Sequence, residues 1–142
     1  MTKLQAIHWF SDYVAGEHVT IAQERSEWSL IMSTNKPRMT LPPDFSVGED
    51  DRIFRNDFIR RCPLAKGFSH VTLSILHEIG HHFRREDYIF SDIVEPDDYT
   101  TAEHILLPYE ITATDWAIEW LQDAEHRRVA KQFERDFAAS VR

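Results

Sequence analysis

The tightest constraint on this chain is the stretch from about Ser69 to Phe83. Val71, Leu73, Ile75, Leu76, Ile79 and Phe83 are apolar, yet His77, Glu78 and His81 interrupt them. Such a run reads as a long helix largely enclosed by protein. Enclosing imidazole and carboxylate groups is costly unless they are paired, hydrogen-bonded or bound to a metal. The fold must therefore supply partners for three polar side chains close to its own core. On a helix, residues four apart lie one above the other, so His77 and His81 can present two imidazoles to a single ion. Glu78 sits beside them, badly placed to ligate with the histidines and well placed to touch a water held by the metal. In that arrangement a carboxylate takes a proton from zinc-bound water and hands it to a leaving amine. Gly80, the second free position of His77-Glu78-Ile79-Gly80-His81, allows close approach of a neighbouring strand or helix.

A catalytic zinc site wants three protein ligands and one open position. The metzincin pattern needs glycine at position 84 and histidine at position 87, where this chain has Arg84 and Asp87, so that class is excluded. Glu110 is the strongest candidate for the third ligand. It lies in the first turn of an expected apolar helix, after a connection long enough to fold back. Ala113 and Ala117 fall on nearly the same helical face, small enough to let two helices close around a metal. Glu110 also reads as an ordinary helix N-terminal glutamate favoured by the macrodipole. His104 is the serious rival, with Glu103 and Asp115 behind it. His82 points about 100° away from His81 around the helix, so it suits a surface role or a hydrogen bond to substrate.

The remaining chain is expected to surround this helix with an α+β arrangement. Residues 3 to about 15 carry helical periodicity, with Gly16 as the stop. Residues 19–22, 28–33 and 38–41 read as three short strands, the last closed by Pro42-Pro43. Residues 44–51 form a polar connection, residues 52–61 a helix ended by Pro63, and residues 86–108 a loop region. Pro108 opens a helix with Ile111, Ala113, Trp116, Ala117, Trp120 and Leu121 as its apolar stripe, and a last helix of mixed charge runs from about Ala124 to Ala139.

At 142 residues the chain suits one domain, 1–142, with a real hydrophobic core. Its net charge of −8 argues against gripping nucleic acid phosphates, so no direct nucleic acid binding is expected. Arg60-Arg61, Arg84-Arg85 and Arg127-Arg128 read as solvated surface. The lone Cys62 rules out an internal disulfide and a multi-cysteine zinc site, and reads as a small buried hydrophobe. Nothing resembles a signal peptide or a membrane span, so a cytoplasmic location without membrane partners is expected.

With His77 to His81 followed by Glu110-Ile111-Thr112-Ala113-Thr114-Asp115-Trp116-Ala117, the chain resembles the ImmA/IrrE-like metallopeptidases, which are gluzincins. The resemblance covers mainly residues 69 to 121. Glu110, Ala113, Trp116 and Ala117 fit the order of the family's second motif. Thr114 stands where the family has Asp or Asn, with Asp115 displaced by one position, which leaves open the residue that orients a zinc-bound imidazole. The resemblance implies a zincin-like α+β domain with a short sheet beside the active-site helix. It implies Zn2+ held by His77, His81 and Glu110, with Glu78 as general base acting on a protein or peptide substrate. Family members often cleave repressors, many beside a helix-turn-helix partner, and no such DNA-binding segment is evident here. Two other readings remain: a zinc-binding regulatory or interaction protein without proteolysis, and a zinc hydrolase of a small amide. Tyr109, Tyr99, His104 and His82 are candidate oxyanion donors.

Overall fold

The computed structural model describes residues 1–23, 29–31, 37–46, 49–85 and 108–141, the side chains of residues 29–31, 49 and 50 excepted. Among these residues the chain is mainly helical with one small sheet, an α+β arrangement. Helix α1 spans Lys3–Ala15. Thr2 and Gln5 cap each other reciprocally at its start, Gln5 N–H to Thr2 Oγ1 at 3.0 Å and Thr2 N–H to Gln5 Oε1 at 2.7 Å. Its end falls at Gly16, whose φ of 70° is the left-handed turn that glycine adopts without penalty.

Three strands follow: β1 (Thr20–Ala22), β2 (Ser29–Ile31) and β3 (Arg38–Thr40). The expected strand at residues 38–41 becomes the centre of the sheet, whose order is β1-β3-β2. β1 runs parallel to β3, with Ile21 opposite Met39, and β2 runs antiparallel to it, with Leu30 opposite Met39. Consecutive strands β1 and β2 are therefore not neighbours. Met39 and Thr40 are buried, as expected of a middle strand, and Pro42 follows where the ladder stops.

Helix α2 spans Glu49–Arg61 and begins three residues earlier than its apolar register predicts. Residues 49–51, read from sequence as part of a polar connection, form its first turn. Pro63 ends α2 as expected and opens a 3-10 turn, Pro63–Gly67, that periodicity does not reveal. Helix α3, His70–Phe83, is capped by Ser69, whose hydroxyl accepts from Thr72 N–H at 3.3 Å. Helix α4 spans Pro108–Trp120 and helix α5 Ala124–Ala139, the latter capped by Asp123. The loop expected over 86–108 lies, up to residue 107, outside the described residues.

α3 is the element around which the others gather. It packs most extensively on α4 and also meets α1, α2 and β2, so the sheet reaches the central helix through its antiparallel edge strand. α1 lies on α5, where the rings of Phe10 and Phe133 stack at 4.4 Å, both fully buried. Cys62 is buried at the end of α2, in line with its reading as a small hydrophobe. No helix among the described residues is long and apolar enough to cross a membrane.

Candidate metal centre

The eleven residues of α3 that are buried include His77, Glu78, His81 and His82. The polar groups that sequence places in an apolar helix are thus enclosed, and their partners come mainly from α4. Gly80 brings the two helices together. A Cβ built on Gly80 would stand 3.2 Å from the Cα of Ala113, 3.1 Å from its carbonyl carbon, and closer still to its carbonyl oxygen. Only glycine permits this crossing, because what faces it is the backbone of Ala113.

The crossing sets Glu110 over the two histidines. Its Oε2 lies 2.8 Å from His77 Nε2 and its Oε1 lies 3.2 Å from His81 Nε2. The two Nε2 atoms are 3.1 Å apart, with the rings nearly perpendicular at an interplanar angle of 86°. Glu78 belongs to the same cluster. His77, Glu78 and His81 form a group that could hold a metal ion, each offering a ligand atom within 4.8 Å of the others. Phe54 of α2 lies against the His77 ring at 5.4 Å and Tyr109 of α4 against the His81 ring at 5.8 Å, so each imidazole has an aromatic neighbour.

The contacts among Glu110, His77 and His81 bring three potential lone-pair donors together, an arrangement that suits a cation. With the carboxylate ionised and both imidazoles neutral, no placement of protons on the Nε2 atoms satisfies all three spacings. If both nitrogens carry hydrogen, the two N–H groups confront each other; if only one does, a bare nitrogen faces a carboxylate oxygen. A cation accepts all three lone pairs at once. Donors about 2.0–2.1 Å from a tetrahedral zinc stand roughly 3.3 Å apart. The observed 2.8, 3.1 and 3.2 Å lie close to that spacing. Two imidazoles and a carboxylate are borderline-soft nitrogen and hard oxygen donors, a set that zinc takes readily.

The second nitrogen of His77 is also held. Its Nδ1 lies 3.0 Å from Thr114 Oγ1, both residues being buried. Asp115 does not share in this. Its carboxylate is half exposed and pairs with Arg61 of α2, tying α2 to α4 at a distance from the cluster. The Arg60-Arg61 pair is thus only half solvated: Arg60 is exposed, while Arg61 is partly covered between Asp57 and Asp115.

His82 departs from its expected surface role. It is 4% exposed, its ring edge-on to Phe83, and burial followed by the nearby Arg85 guanidinium holds its imidazole below the ordinary value. A rotation of 100° away from the cluster leads into protein here, because α3 is covered on several sides. His104, Glu103 and Tyr99 lie outside the described residues. Sequence reasoning missed Phe54 as a neighbour of the site, and nothing in the sequence marks it beyond its place on the apolar face of α2. The chain matches no family model, no curated protein and no solved structure.

Proposed function

We propose that this chain is a zinc-dependent peptidase, with His77, His81 and Glu110 holding the ion and Glu78 acting as general base. The observation that carries the reading is the convergence of His77 Nε2, His81 Nε2 and the Glu110 carboxylate within 2.8 to 3.2 Å, in a buried setting. Glu78 also offers a carboxylate oxygen to the cluster. We assign it the role of base acting on water beside the ion, and the ligand role to Glu110, because Glu78 is offset from His77 by one residue around the helix whereas Glu110 lies 2.8 and 3.2 Å from the two Nε2 atoms. When bound, zinc supplies Lewis acidity that lowers the pKa of a water ligand and polarises a carbonyl.

The chain's own residues do the rest. Glu78 takes the proton from the attacking water and passes it to the leaving nitrogen. Glu110 lowers the net charge of the site. Phe54 and Tyr109 cover the imidazoles and limit the water that competes for them. Among the described residues β2 lies at the edge of the sheet and next to α3, so an extended peptide could add to it as a further strand and pass the cluster. The likeness of the two motifs to those of ImmA/IrrE-like peptidases supports the same reading, and we extend the proposal to a zincin-like fold and to a regulatory protein as the substrate class.

The test has two steps. Purified protein, stripped with chelator and titrated with Zn2+, should bind one equivalent. Glu78→Gln should keep that equivalent while losing cleavage of a peptide library by about 100-fold or more. Undiminished turnover in the Gln variant would refute the assignment of the base.

A further inference from the structure

Trp116 and Trp120 stand four residues apart on α4, hence on one face of it, and α5 begins just beyond them. With Glu119, Asp123 and His126 they line a cleft of about 330 Å³, near the lower end of the range for ligand pockets. No residue of the metal cluster takes part in it. Both indoles are braced by a second ring. Trp116 stacks on Phe83 at 4.9 Å and Trp120 on His126 at 4.3 Å.

The polar groups around the indoles are acceptors. His126 Nδ1 lies 2.7 Å from the Trp120 carbonyl oxygen, which can only accept, so the neutral ring carries its hydrogen there and leaves Nε2 as an acceptor. As the cap of α5, Asp123 takes the backbone N–H groups of Glu125 and His126 on Oδ1 at 2.8 and 3.2 Å. The bond from His126, and after it that from Glu125, holds its carboxyl below the usual range, so the group stays ionised. Its Oδ2 and the Glu119 carboxylate make no hydrogen bond or ion pair among the described residues. The cations nearby are engaged with other groups: Arg127 donates to the Leu121 carbonyl at 2.7 Å and Arg128 to Glu125 at 2.9 Å.

We infer that this cleft is a docking site for an arginine side chain of a partner polypeptide. A guanidinium brings what the lining lacks: a positive charge, five N–H donors in one plane, and a flat face that lies against an indole. The two carboxylates repel an anion, and an apolar group would strip them of water without replacing it. Free arginine would carry its own carboxylate into the same field, which an arginine within a chain does not. The surroundings also suit a chain. Phe83 beside Trp116 and Tyr13 beside Trp120 are 42% and 40% exposed, and give the residues flanking the arginine apolar surface to lie on. The net charge of −8 favours the approach of a basic segment.

The experiment titrates the full chain, 15N-labelled in its tryptophan indoles, with an end-blocked peptide carrying one arginine between glycines, chelator being present throughout. The indole N–H signals of Trp116 and Trp120 should shift and saturate while that of Trp9 stays in place. The same peptide with citrulline, which keeps the shape and removes the charge, should bind at least about 10-fold more weakly. Glu119→Gln should weaken the arginine peptide by about 2- to 5-fold, and Asp123→Asn, which still caps α5, by a similar factor. Trp116→Leu should cost about 2- to 30-fold, and the Gln and Asn variants decide the matter if it does not fold. Equal binding of the citrulline and arginine peptides, or an arginine peptide that leaves both indoles unmoved, would overturn the inference. Free arginine binding as tightly as the peptide would overturn it too, by assigning the cleft to a small molecule. None of these outcomes bears on the zinc reading, which is tested by metal titration at other residues.

Discussion

Replacing Gly80 with alanine sets two effects of opposite sign against each other. In a helix interior alanine is favoured over glycine by about 1 kcal/mol, so an uncrowded position would gain stability. Position 80 is crowded by backbone. The new Cβ would meet the Cα and carbonyl carbon of Ala113 at 3.2 and 3.1 Å, with the carbonyl oxygen nearer still. Non-bonded carbons settle at about 3.5–4.0 Å, so α4 must retreat by roughly 0.5–1 Å. No flexible side chain is available to give way. Forcing a methyl group into a packed interface costs about 1–3 kcal/mol, which outweighs the propensity gain. The Gly80→Ala protein should therefore be less stable by up to about 2 kcal/mol.

The retreat should damage the metal centre more than the fold. Glu110 rides on α4, and its contacts at 2.8 and 3.2 Å span the moving interface. Functional constellations tolerate about 0.5 Å of misplacement, so zinc affinity should fall by about 10-fold or more. Chemical denaturation with chelator present measures the first effect and zinc titration the second. Gly67→Ala serves as the control, because a Cβ there meets only the end of the Lys131 side chain, at the ordinary contact distance of 3.7 Å. The reasoning is refuted if Gly80→Ala is as stable as, or more stable than, wild type and binds zinc equally well.

Two further outcomes follow from side chains around the site. Burial, and after it the Arg55 guanidinium, lowers the His70 imidazole below the ordinary value of 6.5. Above that pH the group is neutral in both states and adds no slope. As the pH falls below 6.5 the unfolded chain takes a proton that the folded chain resists, so stability declines. His70→Gln should flatten the loss of urea midpoint between about pH 7 and pH 5, and parallel curves for the two proteins would show the premise to be wrong. Asp115→Ala should leave zinc affinity unchanged and cost no more than about 1 kcal/mol, because its partly exposed carboxylate serves Arg61. A marked drop in zinc affinity would show instead that Asp115 supports the imidazoles.

The parts of the fold that could be read in the sequence are those where local signals agree. α5 shows a polar and apolar alternation of helical period with Asp123 as its cap, and its bounds match the expected ones. α1 ends where Gly16 predicts. Strand neighbours could not be read, because three residues of β1 and three of β3 carry no mark of parallel pairing, which packing decides. The early start of α2 was hidden because Glu49, Asp50 and Asp51 look the same in a solvated linker and in a helix first turn. His82 went astray for a related reason. Angle around a helix locates a side chain relative to its neighbours, but only the surrounding elements determine whether that direction is solvent.

The centre itself was legible as far as helix geometry extends. Spacing of four placed His77 beside His81, and small residues at positions 80 and 113 marked a close crossing that could bring Glu110 over them. The same spacing bears on the residue left open. Thr114 is four residues after Glu110 and shares its face, whereas Asp115 is five after and lies about 140° away around the helix. A preference for acidic residues as partners of histidine draws attention to Asp115, since carboxylates are the stronger acceptors. Geometry outranks acceptor strength here: a hydroxyl on the right face can bond to Nδ1, while a carboxylate on the wrong one reaches Arg61 instead. The partner of a buried imidazole is therefore better sought first by helical phase and only then by charge.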